Sequence, residues 1–307
     1  MSYYLNREWI SKYLKIYVPA VAVFVVPKIF MEYFSIGGLN FTITQEPARL
    51  FASRWIHFVS MFVLFEIVGI YILVSGWFIR RRFLTLQKQL VVYGAEGFVL
   101  VAATALLIFD VVSGKSMAGS NMIGSGNMEQ ALNGYSIFLT QQTAFEMLNI
   151  MHVIFTTGSV IYTLSAISNY AVCGIFGKEL QGDEADIEER RNAYYRTLYA
   201  STALLTVGVL QLAAWLGLPT DNIVEKEEFT KLVTAMTIYL SMLFTLIAVV
   251  SASLSAFAFN EGVRKYVADG PVQEKLQITL FDRTMLISVF LPAIAGYLIK
   301  VVPLLFA

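Results

Sequence analysis

The stretch FVLFEIVGI sets a carboxylic acid, Glu66, near the midpoint of an apolar segment running from about residue 55 to 79. An ionised carboxylate in hydrocarbon is costly unless it is paired, protonated or hydrated. No lysine, arginine or histidine falls at that depth elsewhere in the chain. Two chemistries fit such a residue. It can bind a proton or cation on a path across the apolar layer, or it can be a protonated carboxyl that hydrogen-bonds a neighbouring helix. Glu96, Ala103 and Asp110 come at steps of seven, which puts both carboxylates on one helix face roughly 21 Å apart. With Glu66 they give acidic groups at three depths, an arrangement suited to a proton or cation path. In the competing arrangement Glu96 and Asp110 are interfacial, and Glu96 pairs with an inner basic residue such as Arg82 or Arg283.

Two polar stripes accompany these acids. His152, Thr156, Ser159, Thr163, Ala166 and Tyr170 share one helical face, and Ser241, Thr245, Ala248, Ala252 and Ser255 share another. Small and hydroxyl residues let helices approach closely and hydrogen-bond, or they line a hydrated path. Gly69 and Gly76, on the face of Glu66, also admit a close neighbour. The two histidines, His57 and His152, sit at similar depths, but nothing else points to a haem. Lys28 and Glu32 are spaced to pair with each other. The glycine-rich GSNMIGSGN lacks the Gly-Lys-Ser/Thr ending of a phosphate loop. DEADIEE has no second aspartate-rich partner and reads as a charged, solvated helix. No metal-ligand spacing or nucleophile–base–acid set stands out. The single cysteine, Cys173, reads as a small packing residue and excludes an intrachain disulfide. Asn40-Phe41-Thr42 is a glycosylation sequon that counts only on a lumenal face.

The elements that must hold these residues can be read from composition. Of 307 residues, 57% are hydrophobic and 14% charged, and mean hydropathy is +0.65. A soluble domain carries about 25% charged residues, so this chain has too little polar surface for water. Zero net charge gives no field for nucleic acid. A crossing helix needs about 20 apolar residues, and seven segments qualify: 14–34, 55–79, 90–112, 147–176, 197–218, 233–259 and 284–306. With the N-terminus inside, 15 of the 22 lysines and arginines fall in inner segments and 7 in outer ones. The basic bias therefore predicts an inner N-terminus and an outer C-terminus. No cleavable leader is expected. YYLNREWISKYLKIY reads as an amphipathic surface segment. Residues 113–146 read as an outer loop, and LNFTIT as a short strand. The expected fold is all-α, a single transmembrane domain over 1–307.

That topology resembles heliorhodopsins, which have seven helices of the same orientation and hold retinal on a lysine in the middle of helix seven. Their counterion is a glutamate on helix three, where this chain has Glu96. The middle of span seven here reads ISVFLPAIAGY, with Pro292 and Ala293 and no lysine, so the likeness is one of topology and implies no retinal. Lys300 lies much further along. A helix entering near Arg283 carries it nearly across the roughly 30 Å hydrocarbon, so its ammonium reaches the outer headgroups.

Two function classes fit these residues, and neither is an enzyme. The first is a transporter or an ion- or proton-conducting protein. The second is a non-catalytic structural or assembly subunit of a larger membrane complex. Either would sit in a bacterial inner or plasma membrane, or in an organellar membrane. Its partners would be the lipid bilayer and either further copies of itself or other membrane subunits. No cofactor is expected.

Overall fold

A computed structural model describes residues 7–33, 42, 51–112, 144–174, 184–267, 270–279 and 282–305. These residues are almost wholly helical, with no strand among them. The elements are α1 (Arg7–Tyr33), α2 (Phe51–Phe83), α3 (Leu86–Val112), α4 (Ala144–Gly174), α5 (Glu184–Leu216), a 3₁₀ turn (Leu218–Asn222), α6 (Lys226–Tyr266), the short α7 (Pro271–Leu276) and α8 (Arg283–Leu305). Among the described residues, seven helices of more than 20 residues overlap the seven apolar segments. Three stretches of the described residues are long and apolar enough to cross a membrane: Arg54–Phe83, Glu184–Thr220 and Lys226–Tyr266.

The centre is a three-helix unit of α4, α5 and α6. Around it α2 fills the groove between α4 and α5, α8 the groove between α5 and α6, and α1 the groove between α4 and α6. Helix α3 stands outside this set. It packs on α4 and touches α2 only thinly, although a two-residue turn joins it to α2. Buried side chains form one large cluster and two smaller ones. The large cluster ties Tyr13, Tyr170, Tyr194, Phe259 and Val289 together near one end of the bundle. Phe65, Ile72, Tyr162 and Leu204 pack among α2, α4 and α5. Phe58, Met151, Trp215 and Phe229 close the opposite end.

The inner stripe of α6 explains why this helix can be central. Ser241, Thr245, Ala248, Ala252 and Ser255 are all buried. Their small volume lets neighbours come close: a Cβ at Gly296 of α8 would stand 2.3 Å from Ser241 Oγ. The hydroxyls are satisfied locally or across the contact. Thr245 Oγ1 donates to the Ser241 carbonyl at 2.9 Å, and Ser255 Oγ donates to the Tyr170 carbonyl at 2.6 Å. An unsatisfied hydroxyl away from water would cost about 1–3 kcal/mol, so this local bonding is what makes the stripe tolerable.

Two segments differ from their sequence reading. The aromatic N-terminal stretch does not lie on a surface from Arg7 onward. It is the first part of α1, and Trp9, Tyr13 and Tyr17 are buried as a stacked ladder with ring centroids 5.5 and 5.4 Å apart. Spacing of four placed these rings on one face, and α4 and α6 cover that face. DEADIEE is helical from Glu184 and leads into the fifth apolar segment, as read, but it is solvated on one side only. From Glu184 it is the opening of α5, where Ile187 and Arg190 are buried while Asp186 and Glu189 reach out to Arg82. Beyond Thr42, the expected strand in LNFTIT lies outside the described residues, as does most of the loop 113–146.

Past α6 the chain turns on Gly270, whose φ of 155° favours glycine, into α7 with Pro271 at its first turn. The Asn260 side chain clamps the chain just beyond α7, donating to the Ile278 carbonyl at 2.9 Å and accepting from its N–H at 2.8 Å. That clamp fixes the entry of α8.

Candidate functional site

The seam between α2 and α4 gathers the ionisable groups. On α2, Glu66, Gly69, Gly76 and Arg80 recur at steps of three, seven and four residues and share a face. On α4, Gly158, Tyr162, Ser165 and Asn169 likewise share a face. The two glycines of α2 seat the side chains of α4. A Cβ on Gly69 would come within 2.2 Å of the Tyr162 ring, and one on Gly76 within 2.6 Å of Asn169 Oδ1. Only a hydrogen at these positions lets the helices close so far.

Midway along α2, the Tyr162 hydroxyl donates to Glu66 Oε2 at 2.5 Å. The other oxygen, Oε1, is buried and has no hydrogen-bond partner among the described residues. It faces the α4 backbone, and a Cβ on Gly158 would stand 3.2 Å away. Phe65 packs against Phe155 at 4.7 Å and against Tyr162 at 5.8 Å, so the surroundings are aromatic. Such a carboxyl is held firmly by one oxygen while the second has spare capacity to accept.

Towards the end of α2 the seam holds a second centre. Arg80, 3% exposed, makes a bidentate pair with Glu96 of α3 through two contacts of 2.6 Å. Its Nη2 also donates to Ser165 Oγ at 2.9 Å and to Asn169 Oδ1 at 3.3 Å, both on α4. The Tyr93 ring lies 5.0 Å from the guanidinium carbon. Planar two-point pairing of this kind is the strong form of ion pair. Here it ties three helices together. On α1, the Tyr13 hydroxyl meets Ser168 Oγ of α4 at 3.1 Å. The Cys173 thiol is free and fully buried.

Of the residues singled out in the sequence, Glu66 lies on the seam and Glu96 reaches its Arg80 from α3, at a different depth and with different partners. The side chain of Asp110 is outside the described residues, as are those of Lys28, Glu32, His152 and Lys300. His57 is exposed. Thr163 lines a small cavity between α4, α5 and α6 with Tyr170, Ser201 and Ser251, with space for roughly one water. Ser159 Oγ donates to the Phe155 carbonyl within α4. Thr156 lies part-buried one turn before it. Sequence reasoning missed Arg80, Tyr162, Ser165 and Asn169. For Arg80 the signal was present, since it continues the Glu66–Gly69–Gly76 face. Among the described residues no group of three His, Cys, Asp or Glu could hold a metal ion.

At the opposite end, Glu225 precedes α6 and accepts from the Thr42 N–H at 2.9 Å and the Thr42 hydroxyl at 2.8 Å. Those donors hold its carboxyl below the usual carboxylate range. Arg54 donates to the Gly217 carbonyl at 3.1 Å, capping the end of α5. Compared with known protein families, with curated proteins and with solved structures, the chain matches none.

Proposed function

We propose that this chain is a seven-span membrane protein, N-terminus inside and C-terminus outside, that moves a proton or cation past Glu66. The observation that carries the reading is the buried, unpartnered Oε1 of Glu66 in the middle of a helix long and apolar enough to cross a membrane. A carboxyl retained there at a cost in solvation, with accepting capacity to spare, is what a transient ion site requires. The tethering of Oε2 by Tyr162 fixes its position without using up that capacity.

The orientation draws support from how the helix ends meet. Lys88 lies over the Trp9 ring, Arg82 pairs with Asp186 and Glu189, and Arg191 bonds the Lys275 carbonyl. These contacts gather the basic ends of α2, α3, α5 and the α6–α8 connection with the start of α1. One end of the bundle is thus rich in lysine and arginine, as the inner face of a membrane protein is. Arg80 and Glu96 lock α3 at this end.

Reconstitution into vesicles tests the reading. Wild-type chain is expected to pass a monovalent cation or proton down an imposed gradient, and Glu66→Gln to reduce that flux at least tenfold. Equal flux in the two proteins would contradict it. A second reading, a non-catalytic subunit of a larger membrane assembly, is favoured by α3. This helix packs mainly on α4 and leaves Leu90, Phe98 and Val101 more than 60% exposed, a face that another chain could cover. Stoichiometric co-purification of a partner, with no flux, would favour that second reading.

A further inference from the structure

The Glu66 centre offers very few oxygens. Among the described residues, the hydrogen bond to its carboxyl is the one from the Tyr162 phenol. Oε1 looks onto the α4 backbone at Gly158, where even a Cβ would sit 3.2 Å away and 3.0 Å from the Tyr162 ring. Tyr162 in turn rests on Gly69 with no room for a methyl group. The rings of Phe65 and Phe155 add apolar walls. A hard metal cation entering here would have to trade a hydration shell of six or so oxygens for one carboxyl and one phenol. That exchange is uphill, and the close approach at Gly158 leaves no gap for a hydrated cation between Oε1 and α4. A proton needs a single oxygen and no added volume.

Resting on the reading of Glu66 as the site of the moving ion, we propose that the ion is a proton and that the seam between α2 and α4 rejects metal cations. An O–H bond forms on the Glu66 carboxylate with a proton taken from water on one side. The same bond breaks to return the proton to water on the other side. No electron is transferred, and the Tyr162 phenol keeps its own hydrogen while it holds the carboxyl in place. The loaded form is neutral, which is the state hydrocarbon tolerates.

Selective flux from vesicles containing the full chain tests this. Gradients of protons, Na⁺ and K⁺ are imposed in turn, and each ion is followed with its own internal dye. The proposal expects proton flux that falls at least tenfold in Glu66→Gln, with Na⁺ and K⁺ flux at the level of empty vesicles. Tyr162→Phe keeps the carboxyl but frees its Oε2, so it is expected to change the proton rate without admitting Na⁺ or K⁺. This second variant answers the same question if Glu66→Gln does not fold. Glu66-dependent flux of Na⁺ or K⁺ would overturn the proton assignment and leave the transport reading standing. Absence of Glu66-dependent flux for all three ions would overturn the transport reading itself.

Discussion

Glu96→Ala is the most informative single change for the fold. It removes the bidentate partner of Arg80, a residue 3% exposed in the intact fold, and leaves the guanidinium with Ser165 Oγ, Asn169 Oδ1 and the face of Tyr93. Breaking a buried ion pair from one side costs about 3–5 kcal/mol, mostly because the remaining charge is stranded. The Glu96 side chain keeps 17% exposure, and two neutral acceptors stay with Arg80, so the low end applies, about 3 kcal/mol. At roughly 2 °C per kcal/mol for a large domain, the thermal midpoint should fall by about 6 °C. The loss should also be local. Helix α3 has little else to hold it, so hydrogen exchange should accelerate in α3 before it does in α4 or α5. The double variant Arg80→Met with Glu96→Leu removes both charges and should recover most of the midpoint, because an apolar pair replaces a buried ionic one at little net cost. Thermal unfolding of purified wild type, Arg80→Met, Glu96→Leu and the double variant in lipid nanodiscs, tracked by tryptophan fluorescence, gives the four corners of a closed cycle. A single variant within about 1 °C of wild type, or singles and double that simply add, would show that the pair does not hold α3.

Other contacts make equally definite demands. Gly69→Ala drives a methyl group into the Tyr162 ring and should cost about 1–3 kcal/mol, with most of that cost gone in a Tyr162→Ala background. Asn260→Ala strips both bonds from Ile278 and should cost about 1–3 kcal/mol, read as faster hydrogen exchange at the Ile278 amide. Glu225 has its folded pKa depressed, so its contact with Thr42 is fully in place above the ordinary carboxylate range and is lost as pH falls through the lowered value. Protection of the Thr42 amide, normalised to its intrinsic exchange rate, should take that course, should lose its pH dependence in Glu225→Gln and should be weak at every pH in Glu225→Ala.

The helices were easy to read and their neighbours were not. Hydropathy located α2 within 51–83 and α6 within 226–266 because each is apolar over a membrane's length. Composition carries no information on which helices touch, and so the partner of Glu66 stayed hidden. Tyr162 lies on a face of α4 one position away from the stripe of Thr156, Ser159 and Thr163, and both faces look small and polar in sequence. The expected partners of Glu96 were basic residues of the inner surface. The one that binds it, Arg80, is distinguished from Arg81 and Arg82 only by lying on the glycine face that packs inward. Trp9, Tyr13 and Tyr17 resembled a membrane-surface stripe, because an aromatic face packed on helices and one laid on headgroups have the same spacing. The short acidic run at 184–189 was solvated only in part, since Ile187 gives it an inward face.

The central claim is that the half-buried carboxyl of Glu66, midway along α2, gains and loses a proton while the bundle stays folded. Infrared difference spectra of the chain in a bilayer, recorded as the pH of the bathing solution is stepped, observe that event directly. The account predicts a protonated-carboxyl stretching band that responds to the step, is missing in Glu66→Gln and shifts in Tyr162→Phe. A spectrum in which wild type and Glu66→Gln respond identically would contradict it.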